Sequence, residues 1–455
     1  MSSTLLKIFF KLFRGSEKIA AARGFIEAYP VDEITQKARR GKEAVFPFGE
    51  KEEFGKALLG APIFEQAPLR YDTLSKVLLV PPLFTPLRLK KMQEILREPV
   101  FTDVDTRVEV GGFSSSMPVC IASMGSTDVF NKVSLQVAKA AAEAGIPMGV
   151  GENVATVWGY AQRRRASQPC FKERVMTYLQ HAEEGKGGVF IQQSVEDAYD
   201  ELWNKVYSDP DITPYIEKGQ VAFEIKLGQG AKPGIGGETF VSRDIALKIR
   251  DKYHFDDDPA TVVKQVYSRH SAPGTFTADI LRSMLRLMKN NYPRCRIWVK
   301  AGPYRDVEEV AQIVHEQEAE AMWIDGKEGG TGMSPVIALK DLGLPTLACL
   351  QKIKRMRERG LQLDTIVSGR IINGGDVVKS LCMGASAAGM GRPIVVAAYA
   401  AGEEGVRRFL EALKMEMQLL ISALGKYSIK ELGDEDLRAA TPELARSLGI
   451  KSVYD

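Results

Sequence analysis

The chain has 455 residues, 45% hydrophobic and 26% charged, enough for one large decorated domain or two or three smaller ones. Its 61 basic and 58 acidic side chains leave a formal charge of +3, which gives a nucleic-acid partner no electrostatic footing. Five cysteines (Cys120, Cys170, Cys295, Cys349, Cys382) form no CxxC pair, and four histidines (His181, His254, His270, His315) are too scattered for a ligand set. No metal site is expected, and the cysteines read as reduced core thiols of a cytoplasmic protein.

Taken in chain order, the first segment is MSSTLLKIFFKLFRG. Leu5, Leu6, Ile8, Phe9, Phe10, Leu12 and Phe13 are interleaved there with Lys7, Lys11 and Arg14. Such a helix can lie on a membrane surface. Because it is short and its apolar residues nearly encircle it, packing on the body of the protein or on a second copy is favoured. No apolar run reaches the roughly 20 residues of a membrane-spanning helix. Residues 1–100 are predicted to be a mainly helical extension, rich in proline between Pro62 and Pro86. Residues 426–455 are expected to be a tail packed on the central domain, 101–425.

From Pro118 onward, short apolar or β-branched runs alternate with amphipathic stretches. The runs are VCIAS (119–123), IPMGV (146–150), VFIQQ (189–193), VAFEIKL (221–227), RIWVKAG (296–302), AMWIDG (321–326), TIVSGRI (365–371) and ASAAGMG (385–391). Helical patterns are clearest at 131–144, 194–207, 277–290, 306–319 and 401–424. Eight strands, each leading into a helix, predict an α/β fold of the (β/α)8 TIM-barrel type, with a doubly wound sheet as the nearest alternative. The interval after the fourth run is much the longest. Insertions that follow a strand lie on the C-terminal face, where barrel active sites sit, so 228–276 is a candidate cover.

The strand ends carry the chemistry. Glycines after the seventh and eighth runs let backbone N–H groups approach a ligand. Ser368, Gly369 and Arg370, then Gly389, Gly391 and Arg392, together with a helix starting near Asn373, read as a phosphate cradle. Lys226 and Lys300 fall inside predicted strands. A buried lysine there is costly unless matched or used, so each either serves an anionic reduced flavin or a substrate, or pairs with a core carboxylate such as Glu224 or Asp325. Gln192 and Gln193 end the third strand with amides suited to a ring edge. Ser123, Met124 and Gly125 end the first, and Glu152 follows the second; these would face the ring or the substrate.

EIKLGQGAKPGIGG, then a VK strand, then GGTGMSP, resembles the FMN-binding synthase domain of glutamate synthase, in order over roughly 115–392. The resemblance implies FMN, and reduction of a 2-imino acid formed from 2-oxoglutarate and ammonia. It implies that Lys226 and Lys300, with Gln229 and Lys232 of the same motif, serve substrate and flavin, and that Gly329, Gly330, Thr331 and Gly332 belong to the flavin site. The flanks FTDVDTRVEVGGFSSSMPVCIA and GRPIVVAAYAAGEEGVRRFLEALKMEMQLLISALG resemble hydroxy-acid oxidases and type 2 isopentenyl diphosphate isomerase, which are also FMN barrels.

Three departures bear on the reaction. GMGRPIVVAAYAAGEEG holds no cysteine where the synthase pattern has an iron–sulfur cluster. No cysteine precedes Cys120, so an amidotransferase domain is not expected. Lys327 and Glu328 stand where the oxidases carry a histidine base. The expectation is therefore an FMN-dependent oxidoreductase acting on a 2-oxo, 2-imino or amino acid, with a small carboxylate substrate. Its electrons would come from a donor protein or an NAD(P)H-dependent partner, and it would form a homo-oligomer. A reduced-flavin isomerase, a hydroxy-acid oxidase-like enzyme, and a flavin-bearing subunit docked through its first 100 residues are the alternatives.

Overall fold

Buried parallel strands have both faces covered and so read as continuous apolar runs. Eight of the predicted runs form such strands in the computed structural model, which describes residues 73–455 except 194, 229–233, 237–238, 252, 271–272 and 330–334. They are β1 (Val119–Met124), β2 (Met148–Val150), β3 (Val189–Gln193), β4 (Val221–Leu227), β5 (Arg296–Ala301), β6 (Ala321–Asp325), β7 (Asp364–Ser368) and β8 (Ala387–Met390). Each pairs in parallel with the next, and β8 returns to β1 through Ala388 and Val119, so the sheet closes into a barrel. The register sets Gln192 beside Glu224, Glu224 beside Trp298, and Lys226 beside Lys300.

The principal helix after each strand is α1 (Ser134–Glu143), α2 (Phe171–His181), α3 (Leu202–Ser208), α4 (Ala278–Asn291), α5 (Val307–Glu316), α6 (Thr346–Glu358), α7 (Gly374–Cys382) and α8 (Arg392–Ala423). Two differ from the sequence pattern. The predicted helix 194–207 is divided, because Glu201 takes a left-handed conformation between Val195–Tyr199 and α3. The predicted helix 401–424 starts earlier, at Arg392, and is kinked at Ala401 and Gly402, where Gly402 has φ 65°. Glycine adopts that conformation without a Cβ clash, so the amphipathic pattern resumes on a new axis.

Inside the barrel the lower layers are aromatic. Phe190 stacks on Trp298 at 4.5 Å between ring centroids, and Trp323 lies beside them. A hairpin, Val108–Val110 with Phe113–Ser115, closes the N-terminal end. Its turn is pinned from two strands: Trp298 Nε1 donates to the Gly111 carbonyl at 3.0 Å, and the Gly111 N–H donates to Asp364 at 2.8 Å. Gly111 has φ 54°, and a Cβ there would overlap the Trp298 ring.

Within the segment after β4, Thr239–Ser242, Val266–His270 and His254–Phe255 form a small antiparallel sheet over their own core of Val241, Ala246 and Tyr267. His270 is taken up there by Asp256 at 3.0 Å. Val77–Leu79 pairs with Leu437–Ala439, which also pairs with Lys451–Ser452, so the residues before the barrel and the tail share one sheet. The expected helix at the N-terminus lies outside the described residues. No helix among the described residues is long and apolar enough to cross a membrane.

Candidate active site at the C-terminal mouth of the barrel

Above the aromatic layers the barrel interior turns polar. Glu224 points inward from β4 and is fully buried; Ser123 Oγ donates to its Oε2 at 2.6 Å and Gln192 Nε2 donates to the same oxygen at 2.7 Å. Its other oxygen, Oε1, is buried with no hydrogen-bond partner among the described residues. Lys300 from β5 lies 3.4 Å from Asp325 Oδ2 and 5.0 Å above the Trp323 ring. Trp323 Nε1 donates to Asp325 Oδ1 at 2.8 Å, and Ser368 Oγ bonds the same oxygen. Two buried carboxyl groups thus share one ammonium. Burial holds the Glu224 carboxyl above its ordinary value, and the nearby Lys300 charge opposes this only in part.

That shift fixes a sign. A carboxyl whose folded pKa is raised contributes stability that is complete below its unfolded pKa and is lost as pH rises through the folded one. Glu224→Gln keeps the side chain neutral at every pH. Its melting temperature relative to the unaltered protein should therefore rise from weakly acidic to neutral pH; a pH-independent difference would show that Glu224 is charged throughout.

At the rim, Lys226 Nζ meets Glu152 Oε1 at 2.6 Å. That carboxylate is neither Glu224 nor Asp325, whereas Lys300 does lie against Asp325. The ends of β1 and β2 touch here: a Cβ on Gly125 would stand 2.9 Å from the Glu152 carbonyl. Met124 lies beside Gly391, so the ends of β1 and β8 also adjoin.

The predicted phosphate cradle divides into two kinds of glycine. Gly389 is a packing position, because a Cβ there would overlap the Trp323 ring, and Gly369 is likewise closed by Thr346. Gly391 is open, with nothing nearer than 3.6 Å to an added Cβ. At the helix end near Asn373 two N–H groups already have partners, Gly374 N donating to Glu416 Oε2 at 2.6 Å and Asp376 N to Asn373 Oδ1 at 2.9 Å.

The start of α8, immediately after β8, carries no side-chain cap. Two arginines stand beside it. Arg370 is exposed on a left-handed backbone, φ 54°. Arg392 is half-buried and donates to the Glu328 carbonyl. Burial, with the like charge of Arg370 second, pushes the Arg392 guanidinium down to about 10. Two guanidinium groups in mutual repulsion beside an uncapped helix start suit a dianionic group.

Gln229, Lys232, Gly330, Thr331 and Gly332 lie outside the described residues. Gly329 ends the short turn Lys327–Gly329, its N–H bonded to the Gly326 carbonyl at 2.9 Å. Glu328 braces that turn by accepting from the Thr346 N–H at 2.8 Å and hydroxyl at 2.7 Å, and Lys327 is held by the Lys340 carbonyl. Both residues standing where an oxidase base is expected therefore hold the loop. Glu224 and Asp325 enter the sequence reading only as candidate partners of the strand lysines, and Trp323 is not singled out. The available signal was charge inside two apolar strands. Among the described residues, no group of three or more His, Cys, Asp or Glu side chains could hold a metal ion.

A closed parallel barrel with charged groups gathered at the C-terminal strand ends is the architecture of a barrel enzyme. The chain belongs to the glutamate synthase family: the family description "conserved region in glutamate synthase" matches residues 89–401. Among curated relatives, an archaeal-type glutamate synthase [NADPH] of Dehalococcoides mccartyi is 32% identical over 189 residues, 40% of this chain and 36% of that protein. A glutamate synthase large subunit-like protein of Rhizobium meliloti is 26% identical over 272 residues, covering 49% of this chain and 60% of that one. The chain thus matches between about a third and three-fifths of these relatives' lengths. In fold it is similar to a mandelate oxidase solved with (S)-2-phenylpropionate, with TM-score 0.51 and 19% identity over 90% of this chain and 97% of that one. A mandelate oxidase variant with a monooxide FMN adduct gives TM-score 0.50 at 20% identity, covering 88% and 96%.

Proposed function

We propose that the protein is an FMN-dependent oxidoreductase acting on a 2-oxo, 2-imino or amino acid. The observation that carries this reading is the buried polar layer, in which the Lys300 ammonium is set between Asp325 and Glu224, and Glu224 Oε1 has no hydrogen-bond partner among the described residues. A planar heterocycle with donors and acceptors on its edge suits such a layer, and the membership of the glutamate synthase family supports FMN.

Arg370, Arg392, Gly391 and the start of α8 would hold the phosphate. Gln192, Ser123, Glu224 and Lys300 would hold the ring edge, and Ser368 would orient Asp325 toward Lys300. Met124, Gly125 and Gly329, with Gly330, Thr331 and Gly332, complete the proposed ring site. When bound, the flavin supplies hydride transfer to or from the substrate α-carbon. Lys300 stabilises negative charge at the ring edge. Lys226, Gln229 and Lys232 are assigned to the substrate, with Lys226 gripping its carboxylate. An electron-donor protein or NAD(P)H-dependent partner supplies the electrons, and the protein works in the cytoplasm as a homo-oligomer.

The test is an absorbance spectrum of the purified protein, then anaerobic mixing of the reduced form with 2-oxoglutarate and ammonium. A flavin spectrum that reoxidises with this mixture supports amination. A flavin that stays reduced removes 2-oxoglutarate amination. A colourless protein that cannot be reconstituted with FMN removes the flavin as well. Arg392→Gln should weaken FMN by roughly 10- to 100-fold, the equivalent of losing one charge-assisted hydrogen bond. It should leave riboflavin binding unchanged, since riboflavin lacks the phosphate; equal loss for both ligands would place Arg392 elsewhere.

A further inference from the structure

Behind the end of β1 lies a buried cation, Arg174, in the first turn of α2. Its Nη1 donates to the Met124 carbonyl at 3.0 Å and its Nη2 to Asn131 Oδ1 at 2.6 Å. The Phe130 ring lies 4.9 Å from the guanidinium carbon, and Nε is buried with no hydrogen-bond partner among the described residues. Both acceptors are neutral. Among the described residues no carboxylate forms an ion pair with it, and burial alone lowers the guanidinium to about 9, so it is charged at neutral pH. A cation at the start of a helix opposes the helix dipole, and a buried charge without a counter-ion is costly. An apolar side chain would fill this place at less cost, so stability does not account for an arginine.

The bond to Met124 sets the direction of one peptide group. The Met124 carbonyl also accepts from the Gly151 N–H at 3.1 Å, so it faces β2 and α2. In a planar trans peptide the following N–H points the opposite way. That N–H belongs to Gly125, and it makes no hydrogen bond among the described residues. Gly151 backs the peptide so closely that a Cβ there would overlap both Met124 and Gly125. We propose that Arg174 is a positioning residue for the flavin ring: it holds the Met124–Gly125 peptide with the Gly125 N–H turned to the ring site, and its unneutralised charge favours the reduced ring. The inference rests on the flavin reading of the mouth. Reduction leaves the ring anionic, and an uncompensated cation attracts that charge strongly in a low-dielectric site. The oxidised ring is neutral and gains the hydrogen bond alone. Arg174 therefore widens the difference between the two forms, which a group that merely held the loop would not.

Charge and position are separated by Asn131→Asp, which keeps the oxygen that Arg174 bonds and gives the guanidinium the carboxylate it lacks. The substitution loses the bonds that Asn131 Nδ2 donates to Gln168 Oε1 at 2.9 Å and to the Pro169 carbonyl at 3.2 Å. The measurement is the midpoint potential of bound FMN, by anaerobic titration against a redox dye, with the affinity for oxidised FMN measured alongside. Asn131→Asp should weaken reduced FMN ten-fold or more relative to oxidised FMN, a fall of about 30 mV for a two-electron couple. Arg174→Gln should lower the potential at least as far. Arg174→Lys, which keeps a positive charge, should hold the ratio of the two affinities within three-fold of the unaltered protein. The two positions are independent tests, so either decides if a variant at the other fails to fold. An unchanged potential in Asn131→Asp overturns the inference, as does an equal fall in Arg174→Gln and Arg174→Lys; in both cases the flavin reading stands. A protein that takes up no FMN overturns both.

Discussion

Replacing Lys300 by methionine should lower turnover by about 10²- to 10³-fold, the scale at which removal of a positioned charge from an enclosed site is felt. The same substitution should destabilise the fold by about 3–5 kcal/mol, because it leaves a buried carboxylate without its cation. Lys300 is 6% exposed, lies against Asp325 and stands over the Trp323 ring, so solvent cannot take its place. Steady-state kinetics and urea unfolding measure the two effects separately. Adding Asp325→Asn to the substitution should restore most of the stability and none of the turnover. A double variant that recovers both would show that Lys300 serves only to neutralise Asp325.

Gly389→Ala is expected to be the more damaging of two changes that look alike in sequence. Its Cβ would overlap the Trp323 ring, and that ring is fixed by its N–H bond to Asp325. Either the ring leaves the polar layer or β8 moves off the barrel, and overpacking of a well-packed core costs about 1–3 kcal/mol. Gly391→Ala meets nothing nearer than 3.6 Å. It should melt with the unaltered protein, yet bind FMN more weakly, since the added methyl group enters the proposed phosphate cradle. Thermal denaturation and FMN titration of the two variants separate the roles. Equal melting temperatures would show that Trp323 yields at little cost.

The barrel was legible because buried parallel strands advertise themselves as short apolar runs, and each of the eight runs contains its strand to within a residue or so at either end. Lysines inside those runs drew attention, since a strand that should be apolar has no use for an unmatched ammonium. Glu224 drew none on its own account. Its importance comes from the register that brings Ser123 and Gln192 to one of its oxygens and leaves the other without a partner among the described residues. Tertiary contacts also decided which glycines and helix ends face a ligand. Nothing local to Asn373 reveals that Glu416, from α8, already caps Gly374. Nothing local to Gly389 reveals the Trp323 ring behind it. The hairpin below the barrel was missed for the same reason: two three-residue strands carry too short an alternation to register.

That hairpin has a further consequence, for the order of assembly on the ribosome. It is made before β1, yet its turn is secured by Trp298 and Asp364, which emerge much later. Until then Phe113, Val110 and the inner faces of the first strands have no cover, and the sheet has no closing edge. Domains with such distant pairings form slowly and expose apolar edges while they wait. A nascent chain stalled between β4 and β7 should therefore be the species most dependent on chaperones, and weakening the Gly111 anchor should lower soluble yield more than it lowers the stability of the finished protein.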